Sequence, residues 1–367
     1  MPVPTYWDYL KLDKLLALQG GLPDDETQLA PDELHFIVVH QVYELWFKLV
    51  LSELREAREH LMAPRMPEER VPYVVHHLRR VNEILRLGVD QFRIMETLTP
   101  QDFLGFRDKL MPASGFQSFQ MREIEILLGL VAGDRQNYGE AEPLGHIRDM
   151  AGGSPAGAFA WKRVEAASAQ PSLRHALHEW LYRTPINGSS PDDEGDAASV
   201  DAFLASYLEA AEGFSASQAE RLGAVFSGNA DAVRRRFEVA AHGDRAFLLA
   251  EDVDEAQRQR TRRVRAGLLF IESYRDLPLL AWPRLLVDSI VELEEQLVLW
   301  RTRHARMVER TIGRRIGTGG SSGVDYLDQT ARYRIFPELW AVRTLLLPRE
   351  HLPELAHRAY YGFAEET

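Results

Sequence analysis

A long amphipathic helix near the C-terminal end of the chain constrains the fold more than any other feature. Apolar residues recur every three or four positions over residues 283–312, which is the α-helical period and predicts one helix about 43 Å long. Its apolar stripe includes Trp300 and a histidine, His304, at a position where a core residue is expected. Gly313 is a natural helix end, and a glycine-rich segment follows at residues 317–323.

The remaining chain also has helical patterning. A helix that is apolar around most of its circumference is predicted over residues 31–60, and such a helix is expected to be central in the fold. An amphipathic helix follows over residues 71–97. A third is expected to begin after Thr99, a good N-cap residue before Pro100. A further helix is predicted over residues 117–130.

Strand patterns with hairpin turns are essentially missing from the sequence, and no internal repeat is visible. The expected fold class is therefore all-α, a helical bundle with a pocket between its central helices. Residues 134–260 are more polar and contain the least regular loops, so we interpret them as a more variable helical insertion. The whole chain, residues 1–367, is predicted to form a single domain.

Composition excludes several classes of function. The chain has 367 residues, of which 45% are hydrophobic, and a formal net charge of -12. It can bury a large core, and its acidic balance argues against nucleic acid as a partner. The absence of cysteine rules out disulfides, thiolate metal sites, iron–sulfur clusters and thiolate-ligated haem. Any iron or haem must be held by His, Tyr, Met or a carboxylate.

The N-terminal sequence lacks the basic and apolar regions of a signal peptide. No run approaches about 18 consecutive apolar residues, the length that a membrane-spanning helix needs. A cytoplasmic location without membrane contact is therefore expected.

Two interpretations of His304 are open from its position alone. It is either a core histidine with a hydrogen-bond partner or the axial ligand of a haem iron. The second interpretation has some support, because Trp300 and Met307 share its face and suit a flat apolar macrocycle. Nearby cations that can pair with haem propionates are Arg301, Arg303 and Arg306.

A second histidine is predicted to point inward from a central helix. His40 lies one helical turn after Phe36, so both side chains project from the same face. It is either a core histidine bonded to a carbonyl or to Glu44, or a group that faces bound oxygen or a substrate N–H.

An arginine in apolar surroundings is the third candidate site residue. Arg107 shares a helix face with Phe103, and a partly buried guanidinium must find an anion. Its partner is either Asp102 or Asp108, or the carboxylate of a substrate. The residues alone do not decide between these two interpretations.

The glycine-rich segment contains Gly319–Gly323, which matches the pattern of a hydrolase nucleophile elbow around Ser321. That motif needs a strand before it and a parallel sheet, so we set it aside. The segment is either a flexible lid in which Thr318 offers a hydroxyl, or a plain solvent loop.

Several ordered motifs resemble the tryptophan 2,3-dioxygenase family, and together they span residues 1 to about 130 and 265 to 350. The motifs are Tyr6–Leu16, Phe36–Lys48, Phe103–Arg107, Ser114–Ser118, Trp300–Val308 and Gly317–Gly323. The resemblance implies an all-helical homotetramer with one b-type haem per subunit, in a pocket between the central helices. It also implies insertion of both atoms of O2 into the indole C2–C3 bond of L-tryptophan, giving N-formylkynurenine.

The resemblance implies a role for each matching residue. His304 would be the axial ligand of the haem iron, with Trp300 and Met307 as further cofactor contacts, and His40 would be the catalytic group near the indole N–H. Tyr6 and Tyr9, in an aromatic N-terminal arm, would reach the site of a neighbouring subunit. The predicted substrate-binding set is Tyr6, Tyr9, Phe36, Ile37, Val38, Val39, His40, Phe103, Arg107, Leu110 and Thr318.

Two alternative functions remain at this point. The same pocket could belong to a haem monooxygenase that acts on a tryptophan derivative in a specialised pathway. A haem-binding sensor or helical interaction protein is the other alternative, although a sensor would not need Arg107 and Thr318 to hold an amino acid.

Overall fold

A computed structural model describes residues 3–135, 144–320 and 322–362 of the chain. Within these residues the secondary structure consists of α-helices and short 3-10 helices, and the only β-type pairing is an isolated bridge between Ile186 and Ser189. The predicted all-α fold class is therefore confirmed. The α-helices, in chain order, are α1 (Tyr6–Leu10), α2 (Leu12–Leu15), α3 (Glu33–Met62), α4 (Val71–Met95), α5 (Pro100–Phe106), α6 (Phe119–Leu128), α7 (Gly145–Ala151), α8 (Pro155–Ser168), α9 (Leu173–Arg183), α10 (Asp196–Val225), α11 (Ala230–Leu248), α12 (Glu255–Ser273), α13 (Ala281–Ile312), α14 (Val324–Thr330) and α15 (Pro337–Thr344).

The described chain divides into two compact units. The first unit contains residues 1–55, 79–172 and 292–335, and the second contains residues 56–78, 173–291 and 336–367. The polar segment at 134–260 is not a unit of its own, because its first part belongs to the first unit and its second part to the second. Within the second unit, α10 and α11 pack against each other as a helical hairpin.

The predicted helices lie close to their observed bounds. Helices α3, α4 and α6 each begin and end within a few residues of the positions expected from the apolar period. The start of α5 is also as predicted, because the Thr99 side chain accepts a hydrogen bond from the backbone N–H of Asp102. Local patterns and caps therefore explain where these helices occur.

The long C-terminal helix α13 is confirmed as one continuous element. The first part of its apolar stripe is fully buried, as at Leu286, Ile290 and Leu293. Gly313 ends the helix with a φ of 60°, a left-handed conformation that glycine adopts without strain, and its N–H donates to the carbonyl of Glu309.

Helix α3 was expected to be central in the fold because it is apolar around most of its circumference, and its two faces differ in burial. One face is buried through Tyr43, Phe47 and Leu54. The other face remains accessible in the single chain, with side chains 36–49% exposed at Leu34, Val38, Leu45 and Leu49. The helix has more apolar surface than the elements packed on it cover.

By length and mean hydropathy alone, α3 could also cross a membrane. This is weak support for a membrane span, because core helices of globular proteins meet the same test. The expectation of a protein without membrane contact stays a prediction.

Candidate active site

A large cavity lies inside the first unit and encloses about 1560 Å³ of empty space, including its opening to solvent. Its walls come from α3, α4, α6, α13 and α14. Side chains of α5 and of the segments that follow α5 and α13 complete the lining. Every residue that lines the cavity belongs to the first unit, although α3, α4 and α13 also extend into the second.

One face of α3 forms a wall of this cavity. Phe36, Val39, His40 and Tyr43 line it, as the helical period predicts. Five members of the predicted substrate-binding set do not line the cavity, namely Tyr6, Tyr9, Ile37, Val38 and Leu110, and Val38 is 40% exposed. Ile37 and Val38 were predicted as part of a contiguous block of α3, but successive residues of a helix point in directions about 100° apart.

His40 has a hydrogen bond that fixes its tautomer. Its Nδ1 lies 2.8 Å from the carbonyl oxygen of Phe36, which can only accept, so Nδ1 carries the proton and Nε2 is left as an acceptor. Desolvation of the imidazole inside the protein lowers the pKa of His40 below its usual value. His40 is therefore a neutral proton acceptor, and its observed partner is the carbonyl of Phe36 rather than Glu44.

His304 lines the opposite wall of the cavity between two aromatic rings. Its ring centroid lies 5.7 Å from that of Phe92, with the planes only 11° apart, and 5.1 Å from that of Trp300. Burial lowers its pKa to about 4, so the imidazole is neutral at physiological pH. Met307 also lines this wall. A neutral imidazole among flat apolar side chains has the chemistry of an axial haem ligand.

The aromatic side chains beside His40 form a slot. The ring centroids of Phe36 and Phe103 are 5.8 Å apart, and the ring of Phe106 lies 5.7 Å from Phe36. Phe36 and Phe103 both line the cavity, which makes them suitable walls for a planar apolar group.

Arg107 is anchored to the glycine-rich segment rather than to an acid. It lies in a 3-10 helix, Arg107–Leu110, and its Nη2 donates to the carbonyl of Ile316. Its Nε is buried without a hydrogen-bond partner, and neither Asp102 nor Asp108 forms an ion pair with it among the residues that the structure describes. The guanidinium thus retains capacity for an anion.

The glycine-rich segment crosses one end of the cavity. Gly317, Thr318 and Gly323 line it, and the Thr318 hydroxyl donates to the carbonyl of Ala113 at 2.6 Å. Gly323 has a φ of 62°, and a Cβ there would lie 2.7 Å from the carbonyl oxygen of Arg315, so the position requires glycine. Ser321, the centre of the rejected nucleophile pattern, lies outside the described residues.

A cluster of charged side chains forms the inner end of the cavity. Glu125 of α6 lies 2.6 Å from Arg135 and 3.1 Å from both Arg122 and Arg301. Burial alone would raise the pKa of the Glu125 carboxyl, but the three guanidiniums outweigh this effect and hold the pKa below its usual range. The carboxylate is ionised, and the cluster has an excess of positive charge.

The other cations predicted near His304 lie away from the cavity lining. Arg303 pairs with Glu96 at 2.8 Å, and Arg306 pairs with Glu309 at 2.6 Å. Tyr6 and Tyr9 of the N-terminal arm are 71% and 81% exposed and do not line the cavity of their own chain.

Comparison with known proteins finds one family that matches nearly the whole chain. The family model of tryptophan 2,3-dioxygenase matches residues 3–346. The chain belongs to the tryptophan 2,3-dioxygenase family. This membership confirms the resemblance seen in the motifs and the prediction of a dioxygenase enzyme.

Named relatives cover the chain almost completely. A tryptophan 2,3-dioxygenase of Sorangium cellulosum is 50% identical over 99% of this chain and 88% of its own length. Tryptophan 2,3-dioxygenase 2 of Ralstonia nicotianae is 49% identical over 99% of this chain and 98% of its own. A tryptophan 2,3-dioxygenase of Dictyostelium discoideum is 34% identical over 95% of this chain and 85% of its own.

The tryptophan 2,3-dioxygenase family is haem-dependent, and the cavity residues fit that cofactor. His304 offers a neutral imidazole, and Trp300 and Met307 offer apolar surface beside it. Arg122 and Arg301 line the cavity as cations, and Nε of Arg122 is buried without a hydrogen-bond partner among the described residues. These groups match the iron, the macrocycle and the carboxylates of a haem.

Sequence reasoning named Arg301 as a cation near His304 but missed the other three members of the inner charged cluster, Arg122, Glu125 and Arg135. Arg122 and Glu125 lie three residues apart on α6, and this spacing also occurs on ordinary solvated helices. The one available signal was the apolar surroundings of Arg122 and Glu125 in the segment 119–128. Phe92, which stacks on His304, had no signal beyond the apolar period of α4.

Proposed function

We propose that this chain uses haem b to add both atoms of O2 across the indole C2–C3 bond of L-tryptophan, giving N-formylkynurenine. One observation carries the proposal. A single cavity contains a neutral imidazole suited to iron, a second imidazole with a free acceptor nitrogen, an aromatic slot and a guanidinium without an acidic partner. Each group matches a different part of the cofactor or of a zwitterionic indole substrate.

His304 would hold the iron, with Trp300 and Met307 against the macrocycle. Bound haem supplies the site at which O2 is bound and activated. The chain's own contribution is to keep the imidazole neutral and oriented. The near-parallel ring of Phe92 packs beside the His304 ring and helps to orient it.

Arg107 and Thr318 would hold the amino-acid end of the substrate. The guanidinium of Arg107 already donates to a neutral acceptor, the carbonyl of Ile316. A carboxylate forms stronger hydrogen bonds with a guanidinium than a neutral carbonyl does, so it can compete for this donor. The hydroxyl of Thr318 can serve the same end of the substrate, and the indole would pack against Phe36 and Phe103.

His40 would orient the indole N–H. Because Nδ1 donates to the carbonyl of Phe36, Nε2 is the nitrogen available to accept a proton or a hydrogen bond. The low pKa of His40 keeps this acceptor unprotonated. A neutral acceptor selects an N–H donor and costs less to keep in a closed site than a charged group.

We extend the proposal to the assembly of the protein. A homotetramer would cover the exposed face of α3, and the arm that carries Tyr6 and Tyr9 would reach the cavity of a neighbouring subunit. Large exposed apolar surface of this kind favours association between chains. A single functional domain spanning residues 1–367 and a cytoplasmic location belong to the same proposal.

Isotope labelling tests the reaction directly. The haem-loaded protein is reduced without oxygen and then given ¹⁸O2 and L-tryptophan. We expect a product that has gained both labelled atoms and has lost the indole C2–C3 bond, as measured by mass spectrometry. Gain of one labelled atom with an intact ring would favour the monooxygenase alternative.

If no product forms, the spectral response to L-tryptophan distinguishes a sensor from a protein with another substrate. If the protein binds haem and its Soret band responds to L-tryptophan, but no oxygenated product forms, a sensor role becomes the better interpretation. A haem-loaded protein that shows neither the spectral response nor the product contradicts the proposed substrate.

A further inference from the structure

Among the residues that the structure describes, the inner end of the cavity contains more positive charge than its one acid neutralises. Three guanidiniums surround the single carboxylate of Glu125, and all four side chains are at most 11% exposed. Nε of Arg122 and Nη2 of Arg135 are buried without hydrogen-bond partners among the described residues. Since buried charges need partners of opposite sign, the cluster is built to receive a further anion.

The three arginines occupy different places relative to the cavity. Arg122 and Arg301 line it, whereas Arg135 does not. Arg122 also lies over the ring of Phe116, with 5.2 Å between Cζ and the ring centroid, and Arg301 lies 4.7 Å over the ring of Tyr333. These two guanidiniums are thus held against aromatic rings at the cavity wall, and Arg135 lies outside the lining.

Glu125 contacts the three arginines at different distances. Its contact with Arg135, at 2.6 Å, is shorter than its contacts with Arg122 and Arg301, both at 3.1 Å. The carboxylate thus makes its shortest contact with the arginine that does not line the cavity, while all three guanidiniums stabilise its charge. Without Arg135, Glu125 would neutralise one of the two cavity-lining cations, and the local net charge would fall from +2 to +1.

We propose that Arg135 and Glu125 are positioning residues whose ion pair keeps Arg122 and Arg301 available, as two cations, for the two carboxylates of the bound haem. This inference rests on the proposed function, because it takes haem as the dianion. It assigns a role to Arg135, a residue that touches neither the cavity nor the reacting atoms.

The test compares two cofactor forms on the full-length chain freed of haem. Hemin carries two carboxylates, and hemin dimethyl ester has the same macrocycle and iron without those charges. We expect Arg135→Met to weaken hemin binding by at least about tenfold, the effect of one charged hydrogen-bonded contact, and to leave ester binding nearly unchanged. Binding is measured by spectroscopic titration, independently of enzyme activity.

A double variant keeps the test informative if Arg135→Met alone folds poorly. Arg135→Met combined with Glu125→Gln removes one charge of each sign and restores the net charge of +2. We expect this variant to recover most of the preference for hemin over its ester. If the double variant binds hemin no better than Arg135→Met does, charge balance is not the role of the pair, and the inference is overturned.

Arg163→Met is the matched control. Arg163 pairs at 2.6 Å with Glu123, a fully buried acid on the same helix α6, but it does not line the cavity. The control should leave the ratio of hemin to ester affinity unchanged. Equal losses for hemin and ester in Arg135→Met would mean that the pair is only structural. Failure of the unaltered chain to bind hemin would instead contradict the proposed function.

Discussion

The two polar ends of the cavity hold their arginines in different ways. At the inner end, Arg122 belongs to helix α6 and Arg301 to helix α13, and both contact an ionised carboxylate. At the other end, Arg107 and Thr318 belong to a 3-10 helix and a glycine-rich segment, and both donate to neutral backbone carbonyls. An incoming carboxylate can displace a neutral acceptor far more easily than it can displace a buried ion pair.

This difference separates a resident ligand from an exchanging one. The helical end offers rigid cations in excess, which suits a cofactor that stays bound. At the other end, Arg107 and Thr318 donate to neutral carbonyls, which a substrate carboxylate can displace. This arrangement suits a substrate that must bind and leave in every turnover. Substitutions at the helical end should therefore affect haem retention, and substitutions at the other end should affect substrate affinity.

The largest expected effect is the loss of haem binding on replacement of His304. His304→Ala removes the imidazole that is suited to iron, so the chain should lose its axial haem coordination and its turnover. The Soret spectrum after hemin reconstitution measures this change. His40→Ala, on the facing wall, is the control and should retain haem. If both variants keep a spectrum like that of the unaltered chain, His304 is not the axial ligand.

Replacement of Arg107 should weaken substrate binding and leave haem binding unchanged. Arg107→Leu is expected to raise KM for L-tryptophan at least about 30-fold, since the loss of one partner of a desolvated charge pair costs 2 kcal/mol or more. Hemin affinity should not change. Steady-state kinetics measure the first effect and spectroscopic titration the second.

Two comparisons make the Arg107 result specific. Tryptamine has the indole and the ammonium but no carboxylate, so its binding should be nearly the same in Arg107→Leu as in the unaltered chain. Arg306→Leu, which removes an exposed arginine outside the cavity lining, should leave KM unchanged. A similar loss of L-tryptophan and tryptamine binding would contradict a carboxylate contact.

A smaller effect is expected from the glycine-rich segment. In Gly323→Ala the new methyl group would lie 2.7 Å from the carbonyl oxygen of Arg315, so the segment must shift. The strain is on the order of 1–3 kcal/mol, and KM should rise several-fold with haem retention unaffected. Gly313→Ala is the matched control, because Gly313 also has a positive φ of 60° but no atom lies within 4 Å of its added Cβ. Equal effects in both variants would mean that the contact with Arg315 is irrelevant.

The smallest effect concerns pH. Because burial lowers the His304 pKa to about 4, its imidazole is neutral throughout the range from pH 7.5 to 5. Hemin affinity should therefore show no step near 6.5, the usual histidine pKa. A titration midpoint near 6.5 that disappears in His304→Ala would show that this wall is solvated rather than buried.

The lowered pKa of His304 also predicts how the folding stability of the haem-free chain depends on pH. The unfolded chain takes up a proton on this histidine near pH 6.5, whereas the folded chain does so only near pH 4. Folding stability from this site is therefore complete above pH 6.5 and is lost progressively as the pH falls toward 4. Denaturant unfolding at pH 7.5 and pH 5 measures the loss.

Helices and their inward faces could be predicted from the sequence because the apolar period is a local property. The same period placed Phe36 with His40 and Trp300 with His304 on shared faces, and the structure has both pairs. The prediction also included Ile37 and Val38 as part of a contiguous motif, and these two residues do not line the cavity. The rotation of a helix from one residue to the next separates such neighbours.

Contacts between distant parts of the chain could not be predicted. The partner of Arg107 was left open between an acid and a substrate, and it is the carbonyl of Ile316, 209 residues away. Arg301 meets Glu125 across 176 residues. Such pairs depend on how helices pack, and no local pattern of charge specifies that packing.

The excess of guanidinium around Glu125 has a consequence for the newly made polypeptide. Buried cations that repel one another favour opening of the chain until an anion joins them. Folded chains without haem should therefore open more often than haem-loaded chains, and proteases should cut them first. The amount of this protein in a cell should consequently follow the supply of haem, even at a constant rate of synthesis.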